Sequence, residues 1–204
     1  MREERLAKIK QVISKRQNLI VVLEDIHDPH NAQAVLRSCD AFGVQKVYFI
    51  FDKESRFNPH KVGKLSSSSA NKWLDYEFFT STQDCYSKLK ADGYTLVATA
   101  LNDSAESMFD FDFSQNQKLA VVLGNEHRGL SEFAISNADK TIMIPLFGMV
   151  QSLNLSVTAA LFIFEITRQR YKSGYEKFTF DDSKIQILFK IFLSVNLVCL
   201  NFLF

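Results

Sequence analysis

Cysteine, proline and tryptophan are scarce in this sequence, with three, three and one among 204 residues. Cys39, Cys85 and Cys199 are odd in number and far apart, and none belongs to a C-x-x-C pair. That argues against a disulfide framework and a structural zinc site, and it favours a reducing cytoplasm. No metal is expected either, because His27 and His30 have no third ligand beside them. The seven glycines form no G-x-G-x-x-G after the first strand-like run. Gly124 and Gly129 have P-loop spacing, but Leu130–Ser131 follow where Lys and Ser/Thr are required, which disfavours a Walker-type ATPase. No apolar run precedes Leu19, so a secretory signal is not expected. A strong net charge is absent too. At +1 overall, no global field draws the chain onto a polyanion.

What is present is a folded composition, 47% hydrophobic and 23% charged, long enough to bury a sizeable core. The positive charge is clustered. Residues 1–17 carry Arg2, Arg5, Lys8, Lys10, Lys15 and Arg16 against Glu3 and Glu4, a local +4. Residues 53–72 carry Lys53, Arg56, Lys61, Lys64 and Lys72 against Glu54, also +4. Residues 168–177 carry Arg168, Arg170, Lys172 and Lys177 against Glu176, giving +3. Separate basic stretches on a near-neutral chain suit either a polyanionic partner or three solvated surfaces.

Short apolar runs at Leu19–Leu23, Lys46–Phe51, Tyr76–Phe79, Thr95–Ala100, Lys118–Leu123 and Lys140–Ile144 read as buried strands. Residues 3–17, 31–42, 82–92, 130–138 and 152–172 read as helices. In 31–42, Ala32, Val35, Leu36, Cys39 and Phe42 form one apolar stripe and Arg37 points away from it. Such alternation predicts an α/β fold with a mostly parallel sheet flanked by helices. Sites in such sheets lie in loops at the carboxyl ends of strands. Residues 185–204 are apolar, with Gln186, Lys190, Ser194, Asn196 and Asn201 interspersed. These interruptions make a poor membrane span. A core or dimer-packing helix, or an altered reading frame, fits better.

Three loops carry polar residues. Residues 24–31 (EDIHDPHN) place Pro29 in the turn and Asn31 as a helix cap, leading to Arg37. This is either an anion site at a helix N-terminus or a cap with a surface arginine. Residues 123–130 place Glu126, a hydrogen-bond acceptor, between Gly124 and Gly129. Residues 144–157 form an apolar loop with Gly148, Ser152 and Asn154, in which Ser152 caps the long helix. An apolar loop with a few polar groups suits an adenine better than water.

HNAQAVLRSCDAFGV (30–44), LGNEHRGLSE (123–132) and IPLFGMVQSLNLSVTAALFIFE (144–165) resemble, in order and separation, the three motifs of the SpoU/TrmH (SPOUT) family of RNA 2′-O-ribose methyltransferases. SSSSANKWLD (66–75) resembles a family segment after the second strand. The resemblance implies a C-terminal trefoil knot and a homodimer with sites at the subunit interface. It also implies S-adenosylmethionine held by Ala98, Thr99, Leu123, Gly124, Ile144, Ser152 and Leu153. Arg37 takes the catalytic position, with Asn31, Glu126, Ser152 and Asn154 around it. Arg5, Lys8, Lys61, Lys64 and Arg168 are the RNA-binding candidates. Residues 1–17 then form a basic N-terminal helix, 18–172 the methyltransferase domain and 173–204 a C-terminal extension. With so few residues before the first strand, the chain resembles the tRNA branch, which methylates a D-loop guanosine. Ribosomal RNA as substrate and a catalytically silent RNA-binding homologue are the alternatives, and a membrane-anchored protein is a distant third.

Overall fold

The computed structural model describes residues 3–59, 70–102 and 104–200. Lys61 and Lys64 lie outside the described residues. A basic helix α1 (Glu3–Ile13) precedes β1 (Gln17–Glu24), α2 (Pro29–Ala41) and β2 (Val44–Ile50). Then come β3 (Asp75–Phe79), α3 (Thr82–Ala91), β4 (Thr95–Thr99) and the two-residue β5 (Glu106–Ser107). The chain continues through β6 (Leu119–Leu123), α4 (Glu132–Asn137), β7 (Lys140–Met143), α5 (Leu155–Lys172) and α6 (Asp182–Leu200).

The seven strands form one parallel sheet in the order β3-β2-β1-β6-β4-β7-β5. Both faces are covered, which is why the central strands read as unbroken apolar runs. In β1 the alternation sends Leu19, Val21 and Leu23 toward α2 and α5, and Ile20 and Val22 toward α3 and α4. All five are at most 1% exposed, so a one-residue slip would exchange both cores at once. A third cluster seats α6 on α1 through Ile9, Ile13, Phe180, Leu188 and Phe192. The apolar run from 185 is therefore, over its described part, a helix with one face packed on α1. Among the described residues no helix is long and apolar enough to cross a membrane.

Some expectations need correction. α1 ends at Ile13, and Arg16 is buried, bonded to the Asp40 carboxylate at 2.6 Å and to the Val44 carbonyl at 3.0 Å. Arg170 is buried as well, donating to Gln17 Oε1 at 2.9 Å and the Asn116 carbonyl at 3.1 Å. Both were counted as surface charge, so the terminal basic patches are each one charge smaller. The cap of α2 is Asp28, whose carboxylate accepts from His30 N, with Pro29 opening the helix; it is not Asn31. The long helix begins at Leu155, and its cap is Asn154, bonded to Ser156 N, rather than Ser152. Capping releases Asn31 and places Asn154, and both bear on the site.

Candidate active site

The carboxyl ends of β4, β6 and β7 open on a cavity of about 410 Å³. Its wall includes Thr99, Leu123, Gly124, Glu126, Ile144, Ser152 and Leu153, with Leu155 and Phe162 of α5 beneath. Ala98, proposed from the motif, is absent from the wall; it lies in β4 with its side chain in the core. The following residues, Thr99 to Leu101, face the space instead.

The loop after β6 is held stiffly. Asn125 and Gly129 bond each other's backbone at 3.0 and 2.8 Å, and Gly129 has φ +70°. The Asn125 side chain accepts from His127 N and Arg128 N and donates to the Asp25 carbonyl at 2.7 Å. Gly124 is required by this closure. A Cβ there would lie 2.3 Å from the backbone of Gly129 and Leu130, inside van der Waals contact.

Glu126 joins the three loops. Its carboxylate accepts from His27 N at 2.9 Å, Asp28 N at 3.2 Å and Asn31 Nδ2 at 2.9 Å. Asn154 Nδ2 donates to Asn31 Oδ1 at 3.1 Å. Partial burial pushes the Glu126 carboxyl up, but the bonds from Asn31, His27 and Asp28 outweigh it and hold it below the ordinary glutamate value. Asn31, Glu126 and Asn154 thus form one chain of hydrogen bonds beside the cavity, and Ser152 is on its wall.

Arg37 stands apart. It is exposed on α2, outside the cavity wall, and no hydrogen bond or ion pair is formed by it among the described residues. Of the RNA-binding candidates, Arg5 and Lys8 are exposed beside Trp73 and Phe192 in a second hollow between α1 and α6. Arg168 is gripped by Glu165 at 2.6 and 2.7 Å, which holds the Glu165 carboxyl low. Among the described residues no group of three or more His, Cys, Asp and Glu is placed to hold a metal ion.

Sequence reading missed a second polar layer. Asp25, at φ +51°, accepts the N–H groups of Asp52, Lys53 and Glu54 on one carboxylate oxygen at 2.9 to 3.1 Å. Glu54 in turn takes Arg128 at 2.9 Å and His27 Nδ1 at 3.2 Å. Glu24 is buried and accepts from Ser131 N, Ser131 Oγ and Thr82 Oγ1, tying α3 and α4 to the end of β1. The available signal for Glu54 was its position as the lone acid in the basic stretch 53–72.

Residues 18–164 match the model of the SpoU rRNA Methylase family. The chain belongs to this family. It is 39% identical over 176 residues to a tRNA (guanosine(18)-2′-O)-methyltransferase of Thermus thermophilus, covering 84% of this chain and 86% of that one. The crystal structure of an A. aeolicus TrmH/SpoU tRNA modifying enzyme superposes with a TM-score of 0.79 at 31% identity, over 92% of this chain and 94% of that one. The SpoU methyltransferase AviRb from Streptomyces viridochromogenes, solved in complex with AdoMet, gives 0.63 at 28%, over 76% and 61%.

Proposed function

We propose that this SpoU-family chain transfers a methyl group from S-adenosylmethionine to the ribose 2′-hydroxyl of a D-loop guanosine in tRNA. The observation that carries the reading is the Glu126–Asn31–Asn154 chain, which joins residues of all three motifs beside a cavity of about 410 Å³. The fit to the cofactor is sound: apolar walls at Leu123, Ile144 and Leu153 suit an adenine, and the turn at Gly124 brings backbone to the cavity edge. When bound, S-adenosylmethionine supplies an electrophilic methyl group. Ser152 and Leu153 on the cavity wall would hold it, and the Glu126 network fixes the loops that position the ribose.

Arg37 serves as the catalytic cation. Its guanidinium, with no partner among the described residues, is free to take a ribose or adjacent phosphate and to stabilise the developing alkoxide. It does not serve as the base, because a guanidinium stays protonated in proteins and has only donors to offer. Positioning of this kind lowers a barrier by roughly 7–11 kcal/mol in favourable cases.

A homodimer completes the reading. Val157, Leu161 and Phe164 expose an apolar stripe on α5, and Phe147, Met149 and Val150 stand out beside the cavity mouth. Exposed large apolar side chains of this kind suit burial against a second copy. Arg37 lies outside the cavity of its own subunit, so a site at the subunit interface accounts for its place. Family membership implies the trefoil knot, and a tRNA-modifying role suits the cytoplasm.

The test is transfer of radiolabel from S-adenosylmethionine to unmodified tRNA and to ribosomal RNA fragments in parallel. Label in tRNA supports the reading. Label only in ribosomal fragments keeps the reaction and overturns the substrate. Label in neither, with the protein folded, favours a silent RNA-binding homologue.

A further inference from the structure

The mechanism above leaves the proton of the 2′-hydroxyl without an acceptor. Arg37 cannot take it, Ser152 and Asn154 are not bases at neutral pH, and Glu126 is held low with its oxygens already accepting three donors. Two imidazoles without an assigned role stand here, His127 on the cavity wall and His27 next to it, and of the two only the His27 ring has a carboxylate partner among the described residues. His27 sits between β1 and the Asp28 cap of α2, and its backbone N–H is bonded to Glu126 at 2.9 Å. Its ring Nδ1 lies 3.2 Å from Glu54 Oε2. Bonds from His27 first, and from Arg128, hold the Glu54 carboxyl below its ordinary value, so it is ionised at neutral pH and only accepts. Nδ1 of the neutral ring therefore carries the hydrogen, and the lone pair is on Nε2.

Glu54 is itself well anchored. Arg128 bonds its other oxygen at 2.9 Å, and the Asp25 carboxylate holds the backbone of 52–54. The His27 ring also meets His127, a cavity-wall residue, edge-on at 5.5 Å between centroids. The His27 side chain is 59% exposed, and Nε2 has no partner among the described residues. A carboxylate that orients a histidine, itself fixed to the Glu126 network, is the arrangement by which enzymes present a general base.

We propose that His27 is the proton acceptor for the ribose 2′-hydroxyl, with Glu54 as the residue that positions its ring. The inference rests on the 2′-O-methyltransferase reading. As the O2′–H bond breaks, the proton passes to Nε2 and its electron pair forms the O2′–CH₃ bond. The methyl's bond to sulfur breaks with both electrons on sulfur, leaving a neutral thioether. The imidazolium then returns its proton to water. The groups facing His27 are Glu54, Arg128, His127 and, through the backbone, Glu126 and Asp28.

The experiment is the pH dependence of the single-turnover rate on unmodified tRNA for the wild-type chain, His27→Gln, Glu54→Gln and His127→Gln. Binding of S-adenosylmethionine and of tRNA is measured for each, and the histidine ring signals are followed by NMR. With four histidines in the chain, the spectrum is tractable. In the wild-type chain the rate rises with pH to a plateau, the limb expected of a general base that must be deprotonated to act. His27→Gln loses that limb and slows by about a hundredfold or more, with both affinities retained. Glu54→Gln slows transfer and changes the His27 ring signals at fixed pH, with both affinities retained. A His27→Gln rate within threefold of wild type, an intact limb in that variant, or a limb abolished by His127→Gln instead, overturns the assignment. If the wild-type chain binds S-adenosylmethionine and tRNA yet transfers no methyl, the parent reading fails and the inference with it.

Discussion

Replacing Glu126 by alanine removes the carboxylate of the β6 loop that accepts three donors from the β1–α2 segment. Three donors lose their acceptor: His27 N, Asp28 N and Asn31 Nδ2, at 2.9, 3.2 and 2.9 Å. A bond to a charged group contributes about 1.5–3 kcal/mol when buried. Glu126 is only partly buried, so water replaces much of each bond and about 1 kcal/mol apiece is a fair discount. The expected loss is therefore about 2–3 kcal/mol of unfolding free energy, and Glu126→Gln, which keeps one acceptor oxygen, loses roughly half of that. The pH dependence carries a further signature. Because the folded-state carboxyl is held below its ordinary value, its contribution is present above the unfolded glutamate pKa of about 4.3 and fades as pH falls through the lower folded value. Urea unfolding of both chains at pH 7 and at successively lower pH measures the gap. A gap under 0.5 kcal/mol at pH 7, or one that does not narrow on acidification, refutes the reasoning.

Arg170→Met leaves Gln17 Oε1 and the Asn116 and Gln117 carbonyls without their donor and removes the cation stacked 4.8 Å from Phe178, so stability falls by about 3 kcal/mol in urea unfolding. Burial already lowers the Arg170 guanidinium to about 10, and a loss below 1 kcal/mol would mean that it is no net support. Gly124→Ala drives a methyl into the Gly129 and Leu130 backbone and reopens the cavity wall; calorimetry shows S-adenosylmethionine affinity down by tenfold or more, and unchanged affinity contradicts the role given to this turn. Leu161→Asp places a charge in the apolar stripe of α5; if the proposed homodimer forms there, the wild-type chain sediments as a dimer and the variant as a monomer, and identical sedimentation of the two contradicts that interface.

The sheet was legible because its central strands are buried on both faces and leave uninterrupted apolar runs, as Leu19–Leu23 and Leu119–Leu123 do. β5 was invisible, since a two-residue strand has no period. The motif residues stood out as residue types, but their partners did not. Asn31 meets Asn154 across 123 positions, and nothing local distinguishes a capping asparagine from a bridging one. Charge counting was blind to depth, so Arg16 and Arg170 were read as surface when each is buried against carbonyls. Asp25 and Glu54 escaped notice for the same reason: their importance lies in what folds onto them.

The most direct test of the account is nucleoside analysis of an unmodified tRNA transcript incubated with S-adenosylmethionine and the wild-type chain or Arg37→Ala. The account predicts one 2′-O-methylguanosine per tRNA, located in the D-loop, and its loss with Arg37→Ala while S-adenosylmethionine binding persists. A base-methylated nucleoside, or undiminished 2′-O-methylation in Arg37→Ala, would contradict it.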